Sequence, residues 1–272
     1  MLEKKLKRLK DILKKMNSVL VAYSAGVDSS FLLKVCKDVL SDRVLAVTAV
    51  SENYPKEELN QAKRFAKELK VRHMIIKTEE LKNPKFKKND LERCYFCKKE
   101  LFTKLNRIAK QNNIDYVIDG SNFDDLKDYR PGRKAKEEMG VYSPLQMAKL
   151  SKNQIRVLAK KMGILNWDKP KQTCLSSRIP YGRKITPFLL KRIEKGENFL
   201  RRLGFKELRL RDYWGGIARI EIEKKDFLKI FRDGMDKKIV KYLKKLGYVY
   251  ITLDLEGYRS GSMNEVFKKK IK

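Results

Sequence analysis

The stretch VLVAYSAGVDSSFLLKVCKDVL, residues 19–40, constrains this chain more than any other. Residues 19–23 form an apolar run of strand length, residues 31–40 carry a helical share of apolar side chains, and between them lies SAGVDSS, small and hydroxylated. A strand that passes through such a turn into a helix aims backbone amides at one spot. With serine hydroxyls beside them, that spot holds an anion such as pyrophosphate. The same residue types also serve a plain strand-to-helix turn and cap. No Gly-Lys-Ser/Thr follows, so the loop is not of the Walker A kind.

The alternation then repeats. VLAVTAV (44–50) reads as a strand, 56–69 as a helix, 71–77 as a strand, 98–111 as a helix, and YVIDG (116–120) as a strand. Strands alternating with helices predict an α/β fold, a parallel sheet with helices on both faces. Ligands of such sheets sit beyond the carboxyl ends of the strands, where SAGVDSS and DGSN both fall. Upstream, Leu2, Leu6, Leu9, Leu13 and Met16 make one face of an amphipathic first helix. Downstream, Ser151 with Gln154 forms a capping box that opens another helix. Pro170, Pro180 and Pro187 punctuate the loop that follows. From there a helix (187–203), strands at 207–213 and 218–223, two short helices and a strand at 248–255 predict a smaller α+β domain. The expected division is 1–182 and 183–272, the second part serving substrate binding or oligomerisation in a homo-oligomer.

Composition narrows the setting. The 272 residues suffice for one large domain or two unequal ones. No segment approaches the roughly 18–20 consecutive apolar residues of a membrane span. The lysine-rich start lacks the apolar core of a signal peptide, so a cytoplasmic protein is expected, with no membrane partner. A formal charge of +31 draws in anions from nucleotides to RNA, and its lysines are dispersed and not gathered into one tract. In that compartment the four cysteines, Cys36, Cys94, Cys97 and Cys174, point to metal or redox chemistry before a structural disulfide. Cys36 lies within FLLKVCKDVL and reads as a buried core thiol. Cys94 and Cys97 form a Cys-x-x-Cys placed just before a helix, a pair that can reach one metal centre. Cys174, in KQTCLSSR, is open to service as filler, nucleophile or ligand. His73 is the only histidine, its place in a strand fits a satisfied local role, and no Ser-His-Asp set is evident.

SAGVDSS resembles the SGGxDS loop of the PP-loop ATP pyrophosphatase superfamily. It agrees at Ser24, Gly26, Asp28 and Ser29, and it departs at Ala25, where that superfamily usually has glycine. The resemblance implies a fold like that of the adenine nucleotide alpha hydrolases. It also implies cleavage of ATP between its α and β phosphates with Mg2+, and adenylation of a substrate oxygen. DGSNFDDLKDYRPG (119–132), SPL (143–145), CLSSRIPYG (174–182) and LDLEGYRSGSMNE (253–265), in that order, further resemble the LarE family of sulfur transferases. That family sulfurates pyridinium-3,5-biscarboxylic acid mononucleotide, the precursor of the nickel-pincer nucleotide.

By position, this resemblance implies that Ser24, Gly26, Val27, Asp28, Ser29 and Ser30 hold the pyrophosphate of ATP, with Gly120 beside the nucleotide. It implies that Arg130, Arg178, Arg209, Arg211 and Arg259 grip the substrate phosphate through their planar forks, with an ordinary ion pair as the alternative for each. Asp124, Asp125 and Asp128 suit either magnesium or a turn. Two chemistries occur in the family. In one, the cysteine matching Cys174 attacks the acyl-adenylate and surrenders its sulfur, leaving dehydroalanine. In the other, three cysteines, here Cys94, Cys97 and Cys174, hold a 4Fe-4S cluster with one iron free to carry sulfide. The pair plus a third cysteine favours the cluster, with structural zinc and the sacrificial route as alternatives. Two other activities also fit this sequence: tRNA thiolation within the same superfamily, and a nucleotide- or RNA-binding module whose loop no longer catalyses.

Overall fold

Val19 and Val21 pack to one side of their strand and Leu20 to the other, and all three are fully buried. A strand with no wet face belongs inside a parallel sheet covered on both sides. The computed structural model describes residues 1–126, 131–170, 173–259 and 261–268. The chain forms two compact units, one of residues 1–86 with 91–172, the other of residues 87–90 with 173 onward.

In the first unit, β1 (Val19–Ala22), β2 (Val44–Val50), β3 (Arg72–Lys77) and β4 (Tyr116–Asp119) are all parallel, in the order β3-β2-β1-β4. Around them run α1 (Leu2–Lys14), α2 (Val27–Leu40), α3 (Lys56–Glu68), α4 (Pro84–Lys87), α5 (Arg93–Gln111), α6 (Gly132–Glu138), α7 (Pro144–Met147) and α8 (Lys152–Lys161). Leu9, Leu13, Phe31, Val35, Ile155 and Leu158 from α1, α2 and α8 cover the Val19 and Val21 side. Phe102, Leu105 and Ala109 of α5 cover the Leu20, Leu45 and Val117 side. The expected helices on both faces are therefore present. Crossovers run one way from β1 through β2 to β3 and the other way to β4, so the carboxyl ends of β1 and β4 flank a topological switch point.

Two details differ from expectation. The helix expected from residue 98 begins at Arg93, because the Tyr95 and Phe96 amides already close onto the Glu92 carbonyl. Cys94 and Cys97 thus sit within the first five residues of a helix and not before it. The second unit also takes in residues 173–182, ten residues ahead of the expected division. Arg178 explains this, since its guanidinium forks onto Glu197 further along that unit. The four-residue excursion 87–90 joins the unit through Asn89. Fully buried, its amide donates to the carbonyls of Ile179, Pro180 and Arg183, and Gly182 N returns a bond to its carbonyl.

The second unit is a three-stranded sheet in the order β5-β6-β7. β5 (Leu208–Tyr213) pairs antiparallel with β6 (Ile217–Ile222), and β6 pairs parallel with β7 (Tyr250–Leu253). Helix α9 (Pro187–Arg202) starts with proline in its first turn and Thr186 as cap. α10 (Phe227–Ile230) and α11 (Met235–Lys245) make the crossover from β6 to β7, and α12 (Glu265–Lys268) follows. A Cβ at Gly196 of α9 would collide with Leu210 Cδ2, so glycine lets the helix seat against the sheet. Among the described residues no helix is long and apolar enough to cross a membrane.

Candidate nucleotide site and cysteine positions

β1 hands over to α2 through Tyr23, Ser24, Ala25 and Gly26. Gly26 is the N-cap of α2 and makes no side-chain capping bond, so the first-turn amides receive no help from a cap. Ser29 folds back instead. Its hydroxyl donates to the Gly26 carbonyl at 3.1 Å, accepts from Ser24 N at 3.3 Å, and lies 3.2 Å from Ser24 Oγ. Ala25 stands at φ +56°, in the left-handed region, with its methyl buried. Glycine takes that conformation freely and alanine does not. From β4, Gly120 closes in: a Cβ there would lie 3.0 Å from both Ser29 N and Ser29 Cα. Ser24, Gly26, Val27, Asp28, Ser29 and Gly120 are thus brought together at the switch point. Ser30 is fully buried and accepts from Asn166 Nδ2 at 3.1 Å, so its hydroxyl is spent inward.

Asp28 is held on one oxygen only. Oδ2 accepts from Lys152 Nζ at 2.8 Å and from Asn122 Nδ2 at 3.3 Å, while the buried Oδ1 has no hydrogen-bond partner among the described residues. Burial pushes the Asp28 carboxyl above the usual aspartate range, against the opposing pull of Lys152 and Asn122. An orphaned carboxylate oxygen fits a cation or a donor arriving with a ligand. Neither Lys152 nor Asn122 was singled out from the sequence. Lys152 follows the capping-box serine, which marked its helix start, but its partner lies 124 residues away.

The remaining expected residues divide. Asp124 Oδ2 accepts from Lys152 N and Asp125 Oδ2 from Asn122 N, the bonds of a cap and a turn. Asp128 and Arg130 lie outside the described residues. The phosphate grip expected of Arg178 is not what its geometry provides. It is fully buried, and its guanidinium is spent on Glu197 (2.8 and 3.0 Å), Thr173 O and Oγ1, Cys174 O and Ser177 Oγ. Arg211 likewise forks onto Glu221 at 2.9 and 2.7 Å and donates to Ser177 O and Ser262 Oγ. Arg259 is clasped by Glu265 at 3.0 and 3.1 Å and by Glu256 at 2.9 Å. The physical reason is shared: an arginine that is buried or ringed by carboxylates satisfies those charges first. Arg209 stacks over Tyr258, 5.0 Å from the ring centre, and burial, then the neighbouring Arg178, pushes its guanidinium down to about 10.

Cys94 and Cys97 are three residues apart at the start of α5, hence on one face, and both are half-buried. Cys174 belongs to the second unit, where it caps the single turn Leu175–Arg178. Its carbonyl accepts from Ser177 and Arg178, and Ser176 Oγ donates to its sulfur at 3.3 Å. Two thiols on one turn fit two ligand positions of a cluster. Among the described residues, however, no group of three or more His, Cys, Asp or Glu side chains is placed to hold a metal. Cys36 is fully buried in the core, as its sequence context implied, and burial pushes its thiol up. His73 keeps the local role expected of it, with Nε2 2.8 Å from Thr48 Oγ1.

A four-stranded parallel sheet with an uncapped, serine-lined turn at its switch point defines a PP-loop protein, and residues 1–114 match the NAD synthase family. The chain is 40% identical over 261 residues to the pyridinium-3,5-bisthiocarboxylic acid mononucleotide synthase of Lactiplantibacillus plantarum, covering 94% of this chain and 92% of that one. It belongs to that LarE family. It is also 42% identical over 269 residues to the uncharacterized protein slr1717 of Synechocystis sp., covering 99% of this chain and 100% of that one. To the uncharacterized protein MJ0830 of Methanocaldococcus jannaschii it is 37% identical over 260 residues, covering 94% and 98%.

Proposed function

We propose that this chain is an ATP-dependent sulfur transferase. It adenylates a carboxylate of pyridinium-3,5-biscarboxylic acid mononucleotide and exchanges the adenylate for sulfur, in the synthesis of the nickel-pincer nucleotide. The observation that carries this is the PP-loop turn within a chain alike, over nearly its whole length, to a protein named for the bisthiocarboxylic product. The substrate carboxylate attacks the α-phosphorus, the α–β anhydride bond breaks, and pyrophosphate leaves. Amides of Gly26, Val27, Asp28 and Ser29 at the start of α2, with the Ser24 hydroxyl, receive the charge that develops on that leaving group, while the Ser29 hydroxyl stays on the Gly26 carbonyl. Asp28 Oδ1 supplies one carboxylate toward Mg2+, which ordinarily needs only one or two beside substrate phosphates. Lys152 keeps Asp28 oriented and offsets its charge. A sulfide equivalent then displaces AMP and leaves a thiocarboxylate.

Cys94, Cys97 and Cys174 are the proposed ligands of a 4Fe-4S cluster. Such a cluster, with one iron free of protein thiolate, supplies a place to carry the sulfide. The test is anaerobic purification followed by turnover with ATP, Mg2+ and the mononucleotide. About four irons per chain, lost on Cys94→Ala or Cys174→Ala, together with AMP, pyrophosphate and thiocarboxylate formed only with that substrate, are expected. Iron-free protein carrying dehydroalanine at 174 after one turnover would move the sulfur source to Cys174 itself. No pyrophosphate release with this substrate would overturn the function.

A further inference from the structure

The left-handed turn at Ala25 is gripped from behind. Asn166 Nδ2 donates to the Ala25 carbonyl at 3.0 Å, and Lys169 Nζ donates to the same oxygen at 3.3 Å. The same Asn166 amide donates to Ser30 Oγ, so one side chain ties the turn to the second residue beyond Asp28 in α2. Lys169 is fixed in its turn by two side chains of α3: Glu58 Oε2 at 2.6 Å and Gln61 Oε1 at 2.5 Å. The Lys169 and Glu58 side chains are only 11% and 8% exposed. All of these residues lie in the first unit.

A trans peptide is planar, with its C=O and the next N–H pointing opposite ways. The Ala25 carbonyl and the Gly26 amide share one such plane, and none of the described peptides is cis. Fixing the Ala25 oxygen on the Asn166 and Lys169 side therefore aims the Gly26 N–H away from them, toward the mouth of the turn. The ammonium of Lys169 also polarises that peptide, because a charged donor on the carbonyl strengthens the N–H across the plane. This purpose accounts for two otherwise costly features together: an alanine in a left-handed conformation, and a lysine taken out of water.

We infer that Asn166 and Lys169 are positioning residues for the nucleotide loop, holding the 25–26 peptide so that its amide meets the pyrophosphate half of ATP. This rests on the assignment of the loop to ATP under the proposed function. The test measures binding of ATP, pyrophosphate and AMP, each with Mg2+, to the full chain by calorimetry. It compares wild type with Asn166→Ala and with the charge-neutral pair Lys169→Met/Glu58→Gln, which leaves no buried unpaired carboxylate. Each variant is expected to weaken ATP and pyrophosphate about tenfold while AMP, which lacks the leaving phosphates, stays within about twofold. Amide hydrogen exchange of residues 24–30 is expected to quicken in both variants while thermal unfolding stays cooperative. Unchanged binding of all three ligands, or equal weakening of AMP and ATP, would overturn the inference and leave the nucleotide assignment standing. A wild type that binds none of the three would overturn both.

Discussion

Single residues at the switch point act through backbone approach more than through side-chain chemistry. Gly120 is the sharpest case, since any Cβ would meet the Ser29 backbone at 3.0 Å and backbone cannot step aside cheaply. Gly120→Ala is expected to cost about 1–3 kcal/mol in a urea titration and to lower ATP affinity with it, because the start of α2 must shift to make room. Wild-type stability and affinity in that variant would contradict the close packing. The glycine itself was legible as the strand-end residue of YVIDG, which the family resemblance implies lies beside a nucleotide. Its opposing partner was not, because a strand end and a helix start 91 positions apart meet only through the sheet. Ala25 is the converse: its departure from glycine was visible in the sequence, but its positive φ and the two side chains that grip its carbonyl were not.

Elements in the second unit are joined by buried ion pairs. Glu197 of α9, Asp212 of β5 and Glu221 of β6 are all essentially inaccessible, and each receives two arginines: Arg178 and Arg201, Arg183 and Arg192, Arg211 and Arg219. Burial alone would raise the Glu197 carboxyl, but Arg178, then Arg201 and Arg209, outweigh it and hold the carboxyl down at about 2. A depressed carboxylate contributes stability that is present above its ordinary value near 4.5 and is lost as pH falls through the folded value. Acid unfolding of this unit is therefore expected between about pH 4.5 and 2. Trp214 fluorescence in a Trp167→Phe background reports it, since Trp167 lies in the other unit. At neutral pH, Arg178→Met should cost about 3–5 kcal/mol in the same signal by stranding part of the Glu197 charge. A midpoint and stability unchanged from wild type would remove the pair from this role. From sequence, arginines in family-like segments read as phosphate hands, because nothing local marks which carboxylate lies opposite. The capping box at Ser151 and the alternation of strands and helices were legible, since their bonds are made within a few residues.

At the scale of the molecule, 65 lysines and arginines face 34 aspartates and glutamates, and three of the carboxylates in the second unit, Glu197, Asp212 and Glu221, are turned inward onto arginine. The exposed field is thus strongly positive and dispersed. It should attract RNA without choosing among sequences. Binding that neutralises six to ten phosphates is expected to fall about 10³–10⁵-fold between 50 and 200 mM salt. A filter-binding titration across that range, run beside AMP release with the mononucleotide, separates the two roles. The field predicts that RNA is lost while AMP formation persists. Salt-resistant binding of one tRNA, with AMP formed on it, would instead make RNA the substrate.

By itself the sequence determined the elements and their class. Short apolar runs read as strands, amphipathic stretches as the helices that cover them, and SAGVDSS as a small, hydroxylated turn between the two that suits an anion or a plain cap. These follow from periodicity and turn chemistry, which act over a few residues. Only the tertiary structure decided which polar groups meet: Lys152 and Asn122 at Asp28, Asn166 and Lys169 behind Ala25, Glu197 on Arg178, and Asn89 within the second unit. A charge or an amide buried away from water takes whatever partner the fold brings within about 3 Å, and that partner carries no mark of the pairing in its own stretch of chain.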